Sequence, residues 1–383
     1  MADASMKNIL QGISVLELGQ VLAGPFAGAI FADLGAEVIK LERIEGGDDA
    51  RTMGAAFRYG DALNFHVFNR GKKSVAIDLK SPEGMAAFER LAAKVDIFVH
   101  NMRPGVTQAL GIDGAALCER HPQLIYCEIS AFGHTGPMNM QPGYEPLIQA
   151  FSGLSSINGG PQDPPMRSGA SVCDQGTGMW AVIGALALLQ RRGHTGRGGV
   201  VSTSLLETAL GWVGQKADAY ANLGRLPERH RSGHPGFVPY ESFETQDAPI
   251  LICCGNDRLF TKFAIELGHP EWISDPRFSS NRNRLANRIF LLALLVPLLR
   301  TQPRAAWIAR FNAAGVPCAP VNSVPEALAD LQVQALKMQS LVPNEDFVLT
   351  ALPISFDGER PEHRFVAPRL GQHNQEFNVP KKT

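Results

Sequence analysis

The sequence predicts an α/β protein: a doubly wound, mostly parallel sheet in the first half, followed by a smaller α+β unit. Three observations predict it. β-rich apolar runs alternate with helix-length segments between residues 13 and 203, and parallel strands need such crossovers, which place helices over both faces of the sheet. Around residues 225–236 the composition shifts to Arg, His, Pro and Gly, as in a linker. Beyond it, residues 240–244 and 249–254 read as two strands joined by a short turn, with helical segments after them.

The elements follow in order. Residues 13–16 are β-rich, a glycine-containing turn comes next, residues 25–34 suit a helix, and residues 37–41 return to strand, completing a βαβ unit. The pattern recurs with strand 74–79, Ser81 as N-cap, Pro82 at the first helical position, a helix to about Lys94 and strand 96–100. Strand 124–129 precedes a Gly- and Pro-spotted stretch over 132–165; a helix then runs from about Asp174 to Arg192, and 200–203 is one more strand. Helices are expected near 259–267, 286–299 and 304–314, and 348–356 supplies strands to either unit.

Composition narrows the function. The 383 residues suggest roughly two or three domains. Lys and Arg total 36 against 37 Asp and Glu, a net charge of -1, so no basic excess drives nucleic-acid binding. With 45% hydrophobic and 19% charged residues the chain can bury a large core. Six cysteines without a Cys-x-x-Cys make neither a disulfide framework nor a zinc site. Reduced thiols in a cytoplasmic protein are the expectation. The first residues lack a signal-peptide pattern, and the longest apolar run, 180–189, is about half a membrane span, so no membrane partner is expected. The ten histidines include no His-Glu-x-x-His, and no metal site is expected.

Four segments carry candidate chemistry. Gly19-Gln-Val-Leu-Ala-Gly24-Pro25 joins the first strand to the first helix, where an open α/β sheet places its ligand crevice; its glycines equally serve a turn. Glu42 ends the second strand where a dinucleotide enzyme puts its ribose-binding carboxylate, and the neighbouring Arg43 suits a phosphate. Asn101-Met102-Arg103-Pro104-Gly105 follows the fourth strand, so Arg103 either grips an anion or decorates a Pro-Gly turn. Asp174 opens a helix, where an N-cap is the plain reading; Gly176 and Gly178, poor helix formers in its first turns, point to close approach by another group. Cys173 reads as a small core residue.

Together these segments resemble the class III CoA-transferase family, which includes formyl-CoA transferase, carnitine CoA-transferase and α-methylacyl-CoA racemase. The resemblance is carried by Val15-Leu-Glu-Leu-Gly-Gln-Val-Leu-Ala-Gly-Pro25, Leu34-Gly-Ala-Glu-Val-Ile-Lys-Leu-Glu-Arg43, Phe68-Asn-Arg-Gly-Lys-Lys-Ser74, Gly133-His-Thr-Gly-Pro137, Asp174 to Gly178, Thr195-Gly-Arg-Gly198, Asp275-Pro-Arg-Phe278 and Gly315-Val-Pro-Cys-Ala-Pro320. It implies a Rossmann-like large domain over 1–212 completed by about 325–383, a linker over 213–236, a small α+β domain over 237–324, and an interlocked homodimer. It also implies coenzyme A as substrate, with no tightly bound cofactor, lying along Val21, Leu22, Arg43, Ile77, Asp78, Leu79, Lys80, Asn101, Met102 and Arg103. Asp174 takes the place of the family's catalytic Asp.

That resemblance implies an acyl-CoA:carboxylate CoA-transferase acting on a small carboxylic or dicarboxylic acid. The Asp174 carboxylate attacks the thioester carbonyl, releases CoA thiolate and leaves a mixed anhydride, which the acceptor acid or the thiolate then resolves. Leu22 and Ala109 stand where formyl-CoA transferase carries Gln and Arg, and the glycine-rich substrate loop of that enzyme has no counterpart beyond Gly233-His-Pro-Gly236. A racemase is the rival within the family, but its Gly-His dipeptide is Gly143-Tyr144 here, and Tyr is a poor base at neutral pH. From other classes, a nicotinamide dehydrogenase resting on Glu42 and a catalytically silent CoA-binding subunit stay open.

Overall fold

The computed structural model describes residues 8–379. It divides into two compact units: the larger takes the chain up to Ser155, Arg167–Asn222 and everything from Lys337 on, and the smaller takes Ser156–Met166 and Leu223–Leu336.

In the larger unit β1 (Ser14–Leu18), α1 (Ala23–Asp33) and β2 (Glu37–Glu42) build the first crossover. Helix α2 (Leu63–Asn69) leads into β3 (Lys72–Ala76), and α3 (Pro82–Ala92) into β4 (Ile97–His100). As expected, Ser81 caps α3 by accepting from the Gly84 amide at 3.0 Å, ahead of Pro82. Then come β5 (Ile125–Ser130), α4 (Glu145–Phe151), α5 (Val172–Thr195), β6 (Gly199–Ser204), α6 (Leu205–Trp212) and α7 (Gly214–Leu223). All six strands are parallel, in the order β3-β2-β1-β4-β5-β6. The central strands are largely apolar because both sheet faces are covered, with Val15, Leu16, Ile97, Phe98 and Val99 fully buried; Glu17 and Lys40 are fully buried charged exceptions. The direction of winding reverses between β1 and β4, which leaves a crevice at their carboxyl ends. Helix α5 is long and apolar enough to cross a membrane by length and composition alone; here it is a crossover helix packed on α1, β5, β6 and α6.

The smaller unit pairs β7 (Tyr240–Phe243), β8 (Ile250–Cys253) and β9 (Cys318–Pro320) antiparallel, β8 in the middle. Helices α8 (Asp257–Glu266), α9 (Arg288–Leu299) and α10 (Arg304–Ala314) close over a core that includes Phe260, Phe263, Leu291, Leu295 and Phe311. The unit's limits differ from the expected ones. Helix α7 grows directly out of α6, with the Lys216 amide bonded to the Val213 carbonyl, so the division falls after Asn222 and not near 212. Residues 156–166 belong with the smaller unit, where the Arg231 amide donates to the Gly159 carbonyl at 2.9 Å. The chain rejoins the larger unit at Lys337, not 325, and there β10 (Gln339–Leu341) and β11 (Val348–Thr350) form a hairpin.

The last described residues finish the sheet. Edge strand β3 receives the His373 amide on the Ser74 carbonyl at 3.0 Å, while its Ala76 amide donates to the Asn374 side chain at 2.8 Å. Under the β1–α1 loop lies a fully buried charge network. Lys40 Nζ sits 2.9 Å from Glu17 Oε1, 2.8 Å from Asp48 Oδ2 and 2.9 Å from the Gly19 carbonyl. Lys72 Nζ is 2.5 Å from Glu17 Oε2 and donates to the Pro25 carbonyl at 2.7 Å. Burial pulls Lys40 down, but Asp48, Glu17 and Glu42 outweigh it and hold its pKa above the usual range. Burial, reinforced by the Lys40 charge, brings Lys72 down to about 7 despite Glu17. Glu17 is thus the counter-charge of two buried lysines. Its replacement, Glu17→Gln, is expected to cost about 3–5 kcal/mol of stability, the usual range for breaking a buried pair, read as a lower urea midpoint with an unchanged slope.

Candidate active site

Three of the four segments singled out by sequence converge on the carboxyl edge of the parallel sheet, because each directly follows a strand; the fourth, with Asp174, lies on α5. Residues after β1, β2, β3 and β4 line a cleft of ≈ 470 Å³. Arg43, Ile77, Asp78, Leu79, Lys80 and Met102 are all in its wall, with Leu18, Leu41, Val106 and Leu110 adding apolar surface. Arg43 donates to the Gly47 carbonyl at 2.9 Å and pairs with Asp49, yet its side chain stays 55% exposed. The cleft therefore combines an apolar floor with Arg43 and Lys80 as cations, which suits a ligand with a flat apolar end and phosphates. Met102 also lines an adjoining cleft of ≈ 410 Å³ that contains Arg103, His100, Gln108, His134 and Asn139. Burial first, and His134 second, push His100 down to about 3, so it stands there neutral.

Three of the sequence candidates sit behind the cleft. Asn101 is a clamp across the crevice between β1 and β4: its Oδ1 accepts from the Gln20 amide and its Nδ2 donates to the Gln20 carbonyl, both at 2.8 Å. Val21 takes φ 64, an unfavourable conformation for a β-branched residue, and is held in it by an amide bond of 2.9 Å to Asp48 Oδ1. Leu22 is the residue before α1 and caps nothing with its side chain. Glu42 corrects the dehydrogenase reading. Its carboxylate is buried, bonded to Arg51 by two contacts of 2.8 Å, to the Ser74 hydroxyl at 2.6 Å and to the Asp48 amide at 3.0 Å. Those bonds outweigh burial and keep its pKa below the usual carboxylate range. No acceptor is left for a ribose.

Asp174 is not the N-cap of its helix. Helix α5 begins at Val172, so Asp174 is the third residue of the first turn, and the N-cap Ser171 makes no side-chain cap. The cap comes from Glu145 at the start of α4: Oε1 accepts from the Cys173 amide at 3.0 Å and Oε2 from the Asp174 amide at 2.6 Å. Gln149 donates to the same Oε1 at 2.7 Å, and its own carbonyl oxygen accepts from the Ser168 amide at 2.8 Å. Glu145 is 5% exposed, whereas Asp174 is only half-buried. Burial, and then the Glu145 charge, push Asp174 up to about 7. Cys173 is buried, and burial lifts its thiol to about 12, so it is no nucleophile.

The two glycines after Asp174 admit the protein's own helices. A Cβ at Gly176 would lie 2.8 Å from Thr208 Cγ2 of α6, and one at Gly178 would lie 2.8 Å from the Ala23 carbonyl of α1. Helices α1 and α5 both run antiparallel to the sheet strands, hence parallel to each other. Asp174, one turn before Gly178 on the same face, is therefore level with the loop that precedes α1, and helical side chains tilt toward the N-terminus. Asp174 is not among the residues that line either cleft.

A family model for CoA-transferase family III matches residues 10–374. The chain belongs to the class III CoA-transferases. It is 36% identical to an acetyl-CoA:oxalate CoA-transferase of Acetobacter aceti over 99% of this chain and 98% of the relative. It is 34% identical to a human succinyl-CoA:glutarate CoA-transferase over 97% of this chain and 86% of the relative. A crystal structure of a CAIB/BAIF family protein from Brucella suis superimposes with a TM-score of 0.88 at 34% identity, covering 97% and 99% of the two chains.

For this class III CoA-transferase, sequence reasoning missed Glu145. It lies 29 residues before Asp174, and the only local signal was an acid followed by Pro146 at a helix start. The geometry gives a sign for pH dependence. The folded chain holds the Asp174 proton more tightly than the unfolded chain, so the carboxylate costs stability, progressively from about pH 4 up to about pH 7 and fully above it. Asp174→Asn is therefore expected to raise the melting temperature at pH 8 by a few degrees (at least about 2 °C), and the gain should shrink toward pH 5 in scanning calorimetry.

Proposed function

We propose that this enzyme moves CoA from an acyl-CoA donor to a small carboxylic or dicarboxylic acid, with Asp174 as nucleophile. The observation that carries the reading is the placement of a half-buried carboxylate on the first turn of α5, level with the loop ahead of α1, at the same sheet edge as the Arg43–Lys80 cleft. The names of its relatives, with oxalate and glutarate as acceptors, support a dicarboxylate.

The adenine end of CoA rests against Leu41, Ile77, Leu79 and Met102, its phosphates meet Arg43 and Lys80, and the pantetheine arm carries the thioester along the sheet edge toward Asp174. Asp174 Oδ attacks the thioester carbonyl; the C–S bond breaks, and CoA leaves as a thiolate bearing the charge that Asp174 gave up. The resulting anhydride is resolved by attack of the thiolate on the aspartyl carbonyl, which releases the donor acid and leaves an aspartyl-CoA thioester. The acceptor carboxylate attacks that thioester, the thiolate leaves again, and it takes the acyl group from the new anhydride. Every step balances with the two substrates alone.

The active unit is a homodimer in this reading. Met179, Trp180 and Ile183 on α5, Leu210 and Trp212 on α6 and Tyr220 on α7 are each about half exposed, more large apolar surface than a lone soluble unit usually shows. A second copy of the chain would cover it. Light scattering is expected to give about twice 41.4 kDa at micromolar concentration; an active monomer would contradict it. Chemistry is tested by trapping: with an acyl-CoA donor present, borohydride or hydroxylamine should mark Asp174, and Asp174→Asn should lose transfer by at least about 10³-fold. Solvent deuterium entering the donor's α-carbon, with Asp174 unmarked, would favour the racemase.

A further inference from the structure

We propose that Glu145 is a positioning residue for Asp174: its buried carboxylate occupies the anion seat at the start of α5, so that the free Asp174 carboxylate stays high in energy until it is acylated. The inference rests on Asp174 being the nucleophile.

A helix N-terminus offers unpaired amides and the positive end of the dipole, and it stabilises one nearby anion well. In α5 that anion is Glu145. It takes the Cys173 and Asp174 amides at 3.0 and 2.6 Å and is itself fixed by Gln149. Asp174, on the same turn, receives neither bond and faces a second carboxylate. The other acids on elements packed against α5 are engaged elsewhere: Asp33 of α1 with Arg70, Glu128 of β5 with the Ser202 hydroxyl, and Glu207 of α6 with the Ser204 hydroxyl. Arg191, Arg192 and His194 lie at the far end of α5. Of the charges around the first turn, Glu145 is the one that bears on Asp174.

The arrangement acts on the covalent step. When Asp174 Oδ bonds the acyl carbon and the C–S bond breaks, the negative charge leaves with the CoA sulfur and the aspartyl anhydride is neutral. Repulsion from Glu145 disappears at that moment, and it is absent again in the aspartyl-CoA thioester. It returns only when Asp174 is set free. A carboxylate kept basic in this way is also the better nucleophile.

The test titrates Asp174 in the full-length enzyme carrying ¹³Cγ-aspartate, its resonance assigned by its loss in Asp174→Asn. The midpoint is expected near 7 in the parent and lower by at least about one pH unit, tenfold in the ionisation constant, in Glu145→Gln. Glu145→Asp, which keeps the charge, should keep the parent midpoint. An unchanged midpoint in Glu145→Gln overturns the inference. So does an equal fall in both variants, which would mark Glu145 as a cap and nothing more. Should Glu145→Gln not fold, Glu145→Asp decides alone: a retained midpoint supports the inference, and a fall of one unit overturns it. Failure of the nucleophile reading is seen separately, as turnover by Asp174→Asn.

Discussion

The buried ammonium of Lys40 is the contact on which the rest of the site depends. It joins β2 to β1 through Glu17, to the Gly19 carbonyl at the start of the first loop, and to Asp48, whose other oxygen holds the Val21 amide. Three acceptors around one cation fix the path of the loop between β1 and α1, including the unfavourable backbone at Val21. Asn101 then locks the same loop to the end of β4. With the loop set, α1 can begin only at Ala23, and the Ala23 carbonyl is what Gly178 packs against. The position of Asp174 is inherited from Lys40 through this sequence of contacts.

Charge is used in two ways in the larger unit. The Glu17–Lys40–Lys72–Asp48 and Glu42–Arg51–Asp61 groups are closed: each carboxylate has a cation within 2.5 to 2.9 Å, and they build walls. The Glu145–Asp174 pair is open: neither carboxylate is ion-paired with a cation among the described residues, and Glu145 is held by two backbone amides and the Gln149 side chain. Closed groups rigidify, because breaking one strands a charge. An open pair stores free energy at one side chain, which suits a group whose charge is meant to leave.

Much of this was legible in the sequence, and what was not has a common cause. Strands β1 to β6 were visible as short β-rich segments alternating with helix-length ones, and α3 because Ser81 and Pro82 announce its start. Arg43 and Met102 were read from the strands they follow and Ile77 to Lys80 from the family resemblance, and the fold brings them together in one cleft because loops at the carboxyl edge of such a sheet meet there. The misreadings concern partners distant in sequence. Glu42 matched the spacing of a ribose carboxylate, but Arg51, Ser74 and the Asp48 amide claim it. Asp174 suited an N-cap, but Glu145 does the capping. Asn101 has a role that the spacing did not announce, clamping both backbone groups of Gln20. Local propensity says what a side chain can bond, and only the fold says which partner reaches it first.

The tail that pairs with β3 bears on how the protein is made. Ser74 and Ala76 sit on an outer strand whose backbone groups are satisfied by His373 and Asn374, some 298 residues further along. During synthesis the six-strand sheet can form once β6 has emerged, while the smaller unit and the β10–β11 hairpin are still to come. Throughout that interval β3 is an open edge of the kind that invites pairing with another chain. The seal arrives only once residues 371–374 have emerged, so a chain cut short before residue 371 keeps β3 open.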